Sequence, residues 1–207
     1  MDTSMKLGLL VAIAMITLGW GTLASWRRSK YYTDVLQRLG FVPTEVPELR
    51  MELARPRSFR SFRFSSNFFR GNFNGHELIF FEFWGNHWFR SLPVVAFRLA
   101  DSKMPAFCLS TGYLLLFPLL DDYPQKVDIA DPHFPLHHNL SCSDKQRVMA
   151  LFSGEVVDFF NKNKAWSVET NSQWMLIYSK QHLMRLDIAA TQNFLEKAIQ
   201  ICQVFTP

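Results

Sequence analysis

Apolar residues run from Leu7 to Trp26, LGLLVAIAMITLGWGTLASW, without a single charge. As a helix such a run is long enough to cross a hydrocarbon core of about 30 Å. We expect an N-terminal transmembrane helix, with residues 1–28 forming a membrane anchor. Lys6 alone precedes the run, whereas Arg27, Arg28 and Lys30 follow it closely. That bias predicts a single pass through the inner (plasma) membrane with the following domain in the cytoplasm. A cleaved secretory signal has the same general outline, but its apolar region is about 7–15 residues, and Thr22-x-Ala24 before Trp26-Arg27-Arg28 matches a cleavage site poorly.

Beyond the run, the pattern changes period several times. Tyr32, Val35, Leu36 and Leu39 recur at helical spacing and Gly40 is placed to end the turn, predicting a helix over 30–39. Pro43, Pro47 and Pro56 fix φ and lack a donor, which reads as a linker or extended arm. The expected organisation is therefore a juxtamembrane helix and Pro-containing linker over 29–56 and a soluble domain over 57–207. Asn74-Gly75 between apolar runs is a hairpin signal, because a type I′ turn needs positive φ at both positions. The strand His76 to Trp84 places Leu78, Phe80 and Trp84 on one face and Ile79, Phe81 and Phe83 on the other, as in a strand covered on both sides. Pro93–Leu99, Ala106–Ser110 and Tyr113–Phe117 continue an expected antiparallel meander.

Ser143, with Gln146 at the capping-box position, opens one expected helix reaching Asn163 along the stripe Val148, Met149, Phe152, Val156, Phe159 and Phe160. A second hairpin is expected from Ala165–Thr170 and Gln173–Ser179, and a closing helix from Ile188 to Val204 with Asp187 as N-cap. Helices flanking a mostly antiparallel sheet make this an α+β fold.

Composition narrows the class further. In 207 residues, 48% hydrophobic and 19% charged content exclude wholesale disorder. Phe is over-represented at 20 residues, the mark of large packed faces. Cys108, Cys142 and Cys202 are odd in number and lack a C-x-x-C spacing, which fits reduced thiols in a cytoplasmic compartment.

Two stretches carry candidate chemistry. Between 57 and 75, Arg57, Arg60, Arg63 and Arg70 interleave with Phe59, Phe62, Phe64, Phe68, Phe69 and Phe73. Such interleaving serves single-stranded nucleic acid in some proteins, but with a net charge of only +4 and no ribonucleoprotein signature no nucleic acid is expected. Held near an anchor, the same residues, with Arg27, Arg28 and Lys30, can press a domain against anionic headgroups. The plainest reading is strands with a Phe core face and solvated arginines. The second stretch, Asp128 to Cys142, gathers Asp128, Asp131, His133, His137, His138 and Cys142, the donor types of a zinc site. Pro132 and Pro135 oppose the helix that an H-E-x-x-H arrangement needs, leaving a loop whose histidines are either solvated or ligating, or a His–Cys nucleophile pair. Asp121-Asp122 and Glu155 with Asp158 read as a polar turn and a solvated helix face. No phosphate loop, dinucleotide turn or nucleophile elbow is present.

The order of an N-terminal span, Gly71-x-Phe73-x-Gly75 before an aromatic strand, Asp128-Ile129 followed by Phe134, and Leu151-Phe152 in a helix resembles a group of uncharacterised bacterial single-span membrane-anchored proteins. The resemblance implies one anchored α+β domain and assigns no catalytic residue. The expected role is non-catalytic: holding a protein partner at the cytoplasmic membrane surface, with the lipid bilayer as second partner and no cofactor. A metal-dependent hydrolase using zinc at His133, His137, His138, Asp131 and Cys142 is one alternative, and a lipid-headgroup or lipid-binding module is another.

Overall fold

The computed structural model describes residues 30–54, 64–84, 91–99, 104–111, 123–171, 173–179 and 187–206. The run Leu7–Trp26, Arg27, Arg28, Arg57, Arg60, Arg63 and the expected strand Tyr113–Phe117 lie outside them. Among the described residues no helix is long and apolar enough to cross a membrane.

Among the described residues nine strands form one antiparallel sheet: β1 (Val42–Pro43), β2 (Phe64–Phe73), β3 (His76–Trp84), β4 (Ser91–Arg98), β5 (Phe107–Thr111), β6 (Gln125–Val127), β7 (His138–Cys142), β8 (Trp166–Thr170) and β9 (Trp174–Ser179), in the order β1-β2-β3-β4-β9-β8-β5-β7-β6. The helices are α1 (30–38), α2 (Pro47–Ala54), α3 (Lys145–Leu151), α4 (Gly154–Lys162) and α5 (Ile188–Phe205). The α+β class with a large antiparallel sheet is therefore observed.

Asn74 and Gly75 have φ of 50° and 82°, the double left-handed geometry that closes the β2–β3 hairpin with Phe73 opposite His76. Strand β3 is covered on both faces: Leu78 and Phe80 join the larger core, while Ile79, Phe81 and Phe83 join a smaller one. The larger core packs α1, α3, α4 and α5 on the sheet through rings in contact, with Phe107 5.3 Å from both Phe152 and Phe205. The smaller core takes Val46 and Leu49, at the start of α2, against Phe68, Ile79 and Phe81.

The meander ends earlier than alternation predicts. After β4 the neighbour is β9, and β5 pairs instead with β8 and β7. Every residue of β8 and β9 is buried, so this hairpin needs a neighbour on each side and cover on each face, which only the middle of the sheet provides. Strands β6 and β7 also arise where the sequence suggested a loop, because His138 occupies an inward position that apolar alternation would assign to a hydrophobic residue.

Two further differences follow from local chemistry. Pro43 and Pro47 do not leave 41–54 extended: Pro43 lies in the edge strand β1, where a missing donor is tolerated, and Pro47 is the first residue of α2, where its N–H would be unused. The single helix expected after Ser143 breaks at Phe152 (φ −82°, ψ 64°), which turns its buried ring into the Phe107, Phe134 and Phe205 cluster before Ser153 starts α4. Asp144, not Ser143, caps α3 by accepting from the Arg147 N–H at 3.1 Å. Asp187 caps α5 as expected, accepting from Ala190 N–H at 2.6 Å.

The chain leading out of α1 is pinned to β2 by a close approach. Phe41, 1% exposed, lies over Gly71 so tightly that a Cβ there would sit 2.6 Å from its ring. Gly71→Ala is therefore expected to destabilise the fold by about 1–3 kcal/mol, the usual cost of overpacking. Gly154→Ala, with open space around it, should stay within about 0.5 kcal/mol of the parent in the same thermal melts. Equal melting of both variants would remove the close approach as a constraint.

Candidate functional site

The histidine segment is dispersed by the fold. Asp131 Oδ1 accepts from the N–H groups of His133 (2.7 Å) and Phe134 (3.0 Å), fixing the entry to a single 3-10 turn, Phe134–Leu136. The His133 backbone bond, assisted by those of Phe134 and the Asn161 side chain, holds the Asp131 carboxyl below its usual range. His133 is exposed and His137 half-buried. His138 is only 3% exposed, stacked on Phe134 at 5.1 Å and met edge-on by Phe160 at 5.7 Å. Neither of its ring nitrogens has a hydrogen-bond partner among the described residues. Burial, and secondarily the charges of His137 and Lys164, lowers its pKa to about 4.

Cys142 lies four residues along β7, about 13 Å from His138 at the rise of an extended strand. It is buried opposite Phe107 and Gln125, and burial raises its thiol pKa. Asp128 is exposed, 3.9 Å from Lys126. Among the described residues, no three His, Cys, Asp or Glu side chains converge as a metal-binding group. Lys30, in α1, is exposed.

Two arrangements were not legible in the sequence. On the face of β8 and β9 opposite the larger core, Tyr178 Oη donates to Glu169 Oε1 at 2.6 Å with both groups buried. Burial and the Glu169 charge push the phenol well above its usual pKa. The only clue in the chain is a lone Glu within the strand Trp166–Thr170. Close by, Thr170 Oγ1 accepts from Phe107 N–H (3.1 Å) and donates to the Pro105 carbonyl (2.7 Å), while Tyr123 Oη donates to the Thr170 carbonyl (3.0 Å). These bonds stitch neighbouring strands and leave the pair a sheet-internal anchor.

The second arrangement is a cleft of about 370 Å³ lined by Pro43, Thr44, Glu45, Val46, Arg50, Asn67 and Phe68. A β-bulge builds its wall: between Ser66 and Phe69 strand β2 carries one residue more than β3, and Asn67 takes a left-handed φ of 56°. The extra residue lets Phe69 face the larger core while Phe68 stacks on Phe81 at 5.0 Å in the smaller one. Thr44 N–H donates to the Phe68 carbonyl at 2.9 Å, tying the β1–α2 turn to the bulge. Glu45 and Arg50 are exposed on the rim, and neither forms an ion pair among the described residues.

Compared with known proteins, the chain matches no family model, no curated protein and no solved structure.

The buried imidazole has a measurable consequence. Its pKa of about 4 in the fold lies below the ordinary 6.5, so protons bind the unfolded chain more readily. Its contribution is fully present above pH 6.5 and is lost as pH falls toward 4, a loss on the order of 3 kcal/mol. Thermal melts between pH 7.5 and 4.5 should show a steeper acid loss for the parent than for His138→Phe. Identical slopes would place the imidazole in water.

Proposed function

We propose that this chain is a membrane-anchored accessory protein whose α+β domain holds a protein partner at the cytoplasmic membrane surface without catalysing a reaction. The observation that carries the reading is the burial of α1. Tyr32, Val35 and Leu36 belong to the folded interior, with Tyr32 5.3 Å from Phe80, and they follow Trp26 by only 6 to 10 positions in the sequence. With only five residues between Trp26 and the buried Tyr32, an anchored chain keeps its sheet close to the lipid surface. Arg27, Arg28 and Lys30 then fall at headgroup level, where each basic residue contributes about 1 kcal/mol of attraction to anionic lipid. The resemblance to single-span bacterial proteins points the same way. The zinc-hydrolase alternative draws less support, because Asp131 is committed to its turn and His138 to the core.

The test uses the full chain in bacterial membranes. It should remain in the pellet through alkaline carbonate and high salt, and resist protease added outside spheroplasts. Photo-crosslinkers placed on exposed residues of the domain should trap one defined protein adduct. Release by carbonate, or digestion from outside, would overturn the reading.

A further inference from the structure

We propose that the cleft between β1, α2 and the bulge of β2 binds a small zwitterion, a ligand joining an anionic group to a primary ammonium through a short linker. The proposal rests on the cleft alone and does not require the anchor. Its volume of about 370 Å³ lies within the range of small-molecule sites, at their lower end. Opposite charges line it, and neither side chain forms an ion pair among the described residues: Glu45 precedes α2 and Arg50 follows within its first turns, its N–H bonded to the Val46 carbonyl at 2.9 Å. Phe68, 7% exposed, and Val46, 3% exposed, line the same cleft and give it an apolar part for the linker.

The bulge adds an independent observation. A non-glycine residue held at positive φ costs backbone energy, less for Asn than for most, and β-bulges recur where a strand must re-aim groups at a site. Here the bulge both creates the wall and anchors the turn that carries Glu45. The guanidinium of Arg50 presents a planar fork suited to carboxylate or phosphate oxygens. The Glu45 carboxylate only accepts, so it is matched by an ammonium with N–H donors and not by a quaternary ammonium. A free amino acid and the headgroup of an ethanolamine phospholipid share this chemistry.

The test titrates the full chain, in an uncharged maltoside detergent, with glycerophosphoethanolamine, glycerophosphocholine and glycine by calorimetry. Saturable binding of glycerophosphoethanolamine with at least tenfold preference over glycerophosphocholine would assign the headgroup source. Saturable binding of glycine instead would assign the free amino acid. In either case Arg50→Gln and Glu45→Gln should each weaken binding at least tenfold while melting like the parent, since both side chains are exposed. Absence of saturable binding to glycerophosphoethanolamine and glycine, or binding that both variants retain, would overturn the proposal.

Discussion

A nine-stranded sheet whose middle strands are apolar on both faces must be covered on both faces, and most of the molecule answers to that requirement. Residues 78–83 of β3, 92–97 of β4 and all of β8 and β9 are buried, because Leu78, Val95 and Ile177 point one way while Phe81, Ala96 and Leu176 point the other. The face carrying α1, α3, α4 and α5 is closed by Phe107, Phe152, Phe160 and Phe205, rings 5.3 to 5.8 Å apart. Each ring contributes large buried area and a preference for tilted or edge-on contact, so the abundance of Phe is a packing solution. The break between α3 and α4 serves the same end, since a continuous helix would carry Phe152 past its partners.

The polar groups trapped inside show what this covering costs. Glu169 is tolerated in the middle of the sheet with Tyr178 donating to it, which offsets part of its desolvation. His138 is tolerated because its neutral ring behaves as one more aromatic between Phe134 and Phe160, at the expense of leaving both nitrogens without partners among the described residues. The structure therefore turns the residue with the most chemical promise in the sequence into a core element. Meanwhile the charged side chains that line a concave surface without an ion pair among the described residues, Glu45 and Arg50, come from a stretch whose prolines suggested a linker.

That stretch joins the proposed role to the fold. Phe41 closes over Gly71, Val46 and Leu49 seal the smaller core, and Thr44 ties the turn to the bulge. The segment that follows α1 thus holds the sheet edge in place and shapes the cleft. A ligand in the cleft would touch the same turn that leads toward the membrane in the proposed arrangement.

Elements specified by short-range rules were legible in the sequence. The Asn74-Gly75 turn, the hairpin around Asn171, the two-sided strand β3, the helix at 30–38 and the Asp187 cap all depend on neighbours within a few positions, where φ preference and side-chain period act directly. Tertiary structure decided what depends on distant partners. Inserting β9 and β8 between β4 and β5 requires knowing that both faces of that hairpin will be covered. The direction in which His138 points is set by its pairing with Thr111 on β5, and the cleft exists only because the bulge at Asn67 meets the turn at Thr44. Local sequence encodes dihedral preference and periodicity, whereas strand order, burial of a polar group and a concave surface arise from contacts between segments far apart in the chain.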